Sequence, residues 1–120
     1  MSAETTRAAV RAHHRARFAG DVPAAAARLA EGFTFSSPLM TSDAEGHLAG
    51  LAGFPGVVAG VDVISELHGE DEATLVYDVR TTLPFGVQRT AEHFRLADGR
   101  ITSITLIFDA TPWHAVMAAR

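Results

Sequence analysis

The chain has no cysteine, which excludes a disulfide framework and any thiolate metal site. No apolar run approaches the length of a membrane span, and Met1 to Arg7 has neither the apolar core nor the cleavage signal of a secretory peptide. A cytoplasmic protein is therefore expected. No basic excess is present: the net charge is -4, which argues against nucleic acid or anionic lipid as a partner. Gly-rich phosphate loops and nucleotide fingerprints are absent, and His47, His68 and His93 lack metal-ligand spacing. Neither a cofactor nor a metal is expected. Tyrosine occurs once, at Tyr77. What remains is an ordinary globular composition, 48% hydrophobic and 20% charged over 120 residues, which fits one domain spanning 1–120 with a real core.

No internal repeat or linker divides the chain. A first helix is expected from Thr5 to Phe18, stopped by Gly20, with Val10, His14 and Phe18 on one side and His13 and Arg17 flanking. Arg7, Arg11 and Arg15 recur every fourth residue and read as a solvated face. Asp21 caps a second helix, with Pro23 in its first turn, expected to end near Glu31 and Gly32. Phe33 to Ser36 alternates as a short strand ended by Ser37 and Pro38. A loop and a third helix, Ala44 to about Phe54, come next. Four meandering strands follow: Val61 to Leu67, Ala73 to Leu83, Val87 to Leu96 and Ile101 to Asp109. Val61, Val63 and Leu67 are expected on one face of the first, and Leu75, Tyr77, Val79, Thr81 and Leu83 on one face of the second. Ala97-Asp98-Gly99-Arg100 is a hairpin signal. Helices first and antiparallel strands after imply an α+β fold, one curved sheet burying a face against about three N-terminal helices.

The most informative residues are Glu92-His93-Phe94-Arg95-Leu96. Alternation puts Glu92 on the face of Thr90, Phe94 and Leu96, walled by hydrocarbon, where a carboxyl should have a raised pKa. Such a group is either a proton donor in an apolar cavity or a structural acid bonded to His13 or Tyr77. His13 is either its partner and a base near neutral pH or a half-exposed helix residue; only one of His13 and His14 can point fully inward. Tyr77 either orients a ligand or packs with its hydroxyl satisfied. Ser36 and Ser37 either meet a ligand at the mouth or bond the local backbone. Trp113 and His114 either flap over the mouth or anchor a C-terminal turn.

These motifs, in this order, resemble the nuclear transport factor 2-like superfamily, and within it the SnoaL-like polyketide cyclases and ketosteroid isomerases. The resemblance rests on Arg17-Phe18-Ala19-Gly20-Asp21, on Phe33 to Pro38, on Glu92 to Arg95 with Gly99-Arg100-Ile101, and on Leu106 to Asp109. It implies a cone-shaped cavity walled by the sheet, and often a homodimer through the outer sheet face. In ketosteroid isomerases the matching strand acid is kept protonated and donates to an oxyanion beside a phenol. The resemblance puts Glu92 at the acid, His13 at the phenol and Ser37 at the general base. Serine has no useful basicity, so that mechanism is not expected intact. SnoaL-like cyclases place a catalytic Asp near Asp109, although strict alternation turns Phe108 in and Asp109 out.

The leading expectation is thus a cofactor-free enzyme moving protons on a small, apolar, ring-forming metabolite. Glu92, His13 and Asp109 would act as acid and bases; Tyr77, Ser37, Phe35, Phe54, Phe94, Leu106, Phe108 and Trp113 would hold the ligand. The alternative is a non-catalytic ligand-binding or dimerisation module of the same fold.

Overall fold

Ser2 opens the structure by capping helix α1 (Ala3–Ala19), its hydroxyl accepting from the Thr5 N–H, and Gly20 closes it at φ 71°, a left-handed cap that glycine adopts without strain. The structure, a computed structural model, describes residues 2–51 and 54–119, without the side chains of residues 54 and 55. The buried face of α1 is Thr6, Ala9, Val10, His13, Ala16 and Arg17, with helical spacing but centred on His13 rather than on the expected side of Val10, His14 and Phe18. Thr6 donates to the Glu70 carbonyl at 2.7 Å and so fastens α1 to the sheet.

Asp21 caps α2 (Val22–Ala26). The helix stops earlier than the expected Glu31 because Leu29 is already paired with Ile101 in strand β1 (Leu29–Ser36); burial of Leu29 and Phe33 outweighs the helix propensity of the alanines. A three-residue strand β2 (Thr41–Asp43) lies where a loop was expected. Next are α3 (Ala44–Leu51) and a 3-10 turn, Phe54–Val57. The meander is β3 (Val58–His68), β4 (Glu72–Thr81), β5 (Val87–Ala97) and β6 (Arg100–Ile107), and a closing helix α4 spans Thr111–Ala118.

The strands form one curved, unclosed six-stranded sheet in the order β2-β1-β6-β5-β4-β3. All pairings are antiparallel except β1 with β6, which run parallel. Asp98 and Gly99 turn the last hairpin at φ 51° and 79°, the pair of positive values that a two-residue primed turn requires. The concave face buries Leu75, Tyr77, Val79, Phe94, Leu96, Ile101, Ile104 and Leu106 against Val10, Phe33 and Phe35. β3 departs from expectation. Register shifts at Val58/Gly60 and Val63/Ser65 bend the strand and break its alternation, so Val63 and Leu67 are 46% and 70% exposed. No helix among the described residues is long and apolar enough to cross a membrane.

Candidate functional site

Glu92 sits on β5 between Leu75 of β4 and Leu106 of β6, walled by hydrocarbon and fully buried as its strand position implies. Its ionisation state reverses the expectation. Burial by itself would raise the carboxyl pKa, but the Arg17 guanidinium, with His14 and Tyr77, outweighs it and holds Glu92 at about 2. Arg17 Nη1 donates to Glu92 Oε1 at 3.0 Å, and the Tyr77 hydroxyl donates to the same oxygen at 2.6 Å. His14 Nδ1 stands 3.7 Å away, an ion-pair separation rather than a hydrogen bond. Burial, then the Glu92 carboxylate, push the Tyr77 phenol well above 10.0, so Tyr77 remains a donor. Glu92 is thus an anchored carboxylate and not a neutral acid. A buried charge persists only when paired, and the partner is Arg17 on α1.

Arg17 is also where this network meets a cavity. The cavity has a volume of about 250 Å³, and its wall includes Phe35, Leu51, Leu106, Phe108 and Trp113. Its polar groups are Arg17, His47, Ser37, Ser42 and Gln88; the Ser42 hydroxyl is buried with no hydrogen-bond partner among the described residues. His47 is placed by α3, whose first turn is tied down by the Gly46 N–H donating to Asp43 Oδ1 at 2.9 Å. Its ring lies against Phe33 and Phe35, and its Nε2 is 3.3 Å from His13 Nε2. Burial first, then the neighbouring Arg17 and His13, lower His47 to about 3. Trp113 reaches the wall from α4, its indole N–H hydrogen-bonded to Gln88 Oε1.

No family profile matches the chain, and no curated protein matches it. Solved structures do. A protein of known function from Kribbella flavida is 33% identical over 93% of each chain, with a TM-score of 0.82. An NTF2-like protein of unknown function from Cytophaga hutchinsonii is 23% identical, covering 91% of this chain and 94% of its own, with a TM-score of 0.76. The chain has the fold of the nuclear transport factor 2-like proteins. A ketosteroid isomerase candidate from Kribbella flavida has the same fold at a TM-score of 0.75, 19% identical over 88% of this chain and 78% of its own.

Within this fold, the remaining expected site residues divide. Phe35, Leu106, Phe108, Trp113 and Ser37 line the cavity. The Ser37 hydroxyl also closes the strand end, accepting from the Leu39 and Met40 N–H groups at 3.2 Å each. Phe94 is core, fully buried and off the cavity wall. Tyr77 is likewise off the wall, its hydroxyl given to Glu92. The Phe54 side chain lies outside those described. His13 is buried rather than half-exposed, and it does not bond Glu92: its Nδ1 meets the Ala25 carbonyl of α2 at 3.0 Å and its Nε2 meets His47. Asp109 is exposed. It accepts from the Thr111 N–H at 3.0 Å, a bond that lowers its pKa. It opens α4 and does not reach the cavity wall, because alternation at the end of β6 turns Phe108 inward instead. Among the described residues, no cluster of three or more His, Asp or Glu could hold a metal ion.

Sequence reasoning missed Arg17 and His47 as site residues. Arg17 was legible in the spacing Thr6, Val10, His13, Arg17, one helix face with a cation at its end. His47 had no local signal, since it reaches the site only because α3 folds across β1.

Proposed function

We propose that the protein is an enzyme that moves protons without a cofactor on a compact, largely apolar ring compound, in a reaction such as isomerisation, cyclisation, dehydration or epoxide opening. The observation that carries this reading is Arg17, a guanidinium held by a buried carboxylate and presented at the wall of an aromatic and aliphatic cavity. A preorganised cation in such surroundings stabilises a developing enolate or alkoxide far better than water does. Glu92 then orients Arg17, and Arg17 takes the oxyanion role first assigned to a neutral acid. The Ser37 and Ser42 hydroxyls and the Gln88 amide offer orienting hydrogen bonds. The structural likeness to a ketosteroid isomerase candidate supports the reaction class. The same reading takes a second copy of the chain as partner, through the outer face of the sheet.

Gly50 makes the test clean. It lines the cavity, and a Cβ added there meets nothing within 4 Å. Gly50→Leu should fill the site while gaining helix propensity, about 1 kcal/mol. Wild type incubated with 2-cyclohexenone in D₂O is expected to show a raised Tm and, by NMR, deuterium entering the carbons next to the carbonyl system. Gly50→Leu should keep or raise its own Tm and lose both responses. Binding without exchange would instead establish the non-catalytic module, a reading favoured by the outward Asp109 and the lack of basicity at Ser37. Exchange that survives in Gly50→Leu would place the chemistry elsewhere.

A further inference from the structure

The hydrogen bonds around His13 determine more than its position. Its Nδ1 faces the Ala25 carbonyl at 3.0 Å. A carbonyl can only accept, so this nitrogen carries the proton. Burial lowers the His13 pKa and keeps the ring neutral, which leaves Nε2 as a lone pair. That lone pair faces His47 Nε2 at 3.3 Å, so the contact is a hydrogen bond only if His47 Nε2 is the donor. His47 is then the Nε2–H tautomer, and its Nδ1 is the free lone pair of a ring on the cavity wall. The sequence Ala25 C=O, His13, His47 is a one-way relay that fixes a tautomer through the other ring nitrogen.

We infer that His47 Nδ1 is the base of the cavity, with His13 and the Ala25 carbonyl as the positioning groups that keep its lone pair available. This inference rests on the proton-transfer reading given above. In the step it describes, His47 Nδ1 takes a proton from a carbon next to the ligand's carbonyl system. The C–H electron pair becomes a C=C bond, and the carbonyl oxygen takes up the charge opposite the Arg17 guanidinium. Return of the proton to a second carbon restores both the carbonyl and neutral His47, so no oxidant, reductant or net proton is needed. The charged and titratable groups that act on His47 are Arg17 and His13 of α1 and Glu92 of β5; Phe33 and Phe35 of β1 supply only hydrocarbon. Two of those three neighbours disfavour an imidazolium. A proton taken here is therefore held weakly, able to return to the ligand or to exchange with solvent, and that exchange is what carries deuterium from D₂O into the ligand.

The test begins on the unliganded full chain. Long-range ¹H–¹⁵N spectra of the histidine rings should show His13 protonated at Nδ1 and His47 protonated at Nε2 at pH 8, with the His47 pattern unchanged down to pH 5. In the deuterium-exchange assay with 2-cyclohexenone, His47→Gln should lower the exchange rate about 100-fold or more while its Kd for the enone moves only a few-fold. A proton on His47 Nδ1 in the wild-type spectrum overturns the inference without any variant having to fold. Exchange that survives His47→Gln overturns it too, and leaves the function reading standing with another base. Wild type that binds the enone and exchanges nothing overturns the base. A chain that binds no enone overturns the function reading and the base with it, while the tautomers still report whether the relay exists.

Discussion

Glu92 shows how one partner reverses the chemistry of a buried carboxyl. Apolar flanks demand a neutral acid; a guanidinium at 3.0 Å demands an anion, and the guanidinium wins. The consequence is a stability that falls with acid. Glu92 is lowered from 4.5 to about 2, so its contribution is complete above pH 4.5 and lost as pH falls toward 2. His47 is lowered from 6.5 to about 3. The unfolded chain protonates it first, so its contribution also declines as pH falls, starting near 6.5. His13, likewise lowered by burial, adds to that upper window. Urea unfolding should therefore show stability dropping by a few kcal/mol between pH 7 and pH 4. His47→Gln should be shallower than wild type from pH 6.5 down to about 3 and keep the Glu92-dependent fall that begins near pH 4.5. A flat wild-type profile from pH 7 to pH 4 would contradict the burial of a neutral His47.

At the level of elements, α1 and α4 are held in opposite ways. α1 buries a full face and adds the Thr6 and Arg17 bonds. α4 has no buried residue and the Asp109 bond to the Thr111 N–H is local to its start, so its docking on the sheet rests on Trp113, which packs on Phe85 and donates to Gln88. Trp113→Ala is accordingly expected to speed amide hydrogen exchange in residues 111–118 at least tenfold, about 1.4 kcal/mol of local opening, with β4 to β6 unchanged. Equal protection in the variant would mean that α4 is held by something else. The C-terminal segment, expected as either a flap or an anchored turn, thus gives Trp113 to the cavity wall. The strands were legible wherever alternation ran unbroken, as from Ala73 to Val79 and from Thr90 to Leu96. β3 was not, because a bulge leaves no mark in composition while moving side chains between faces.

For the whole molecule, the outward sheet face carries an apolar row across three strands. Val76 of β4 pairs with Ala91 of β5, which pairs with Ile107 of β6, and Ile107 is 61% exposed. The Asp78–Arg89 pair lies beside it. If two copies meet here, light scattering should give twice the 12.7 kDa chain mass, and Ile107→Glu should return it to a monomer with an unchanged circular dichroism spectrum. A monomeric wild type at tens of micromolar would remove the dimer from the proposal.

The α+β class, the last hairpin, the inward set on β4 and β5 and the burial of Glu92 follow from the sequence itself, because period-two alternation and glycine turn chemistry are local and leave the chain little choice. What surrounds Glu92 is not local. Arg17 reaches it across 75 residues of chain, and His13 meets His47 across 34. The charge on a buried acid and the tautomer of a buried imidazole depend on which groups the fold brings within about 3 Å. The tertiary structure therefore decided that the acid is an anion, that Arg17 is the cation at the cavity wall, and that His47 lines the cavity.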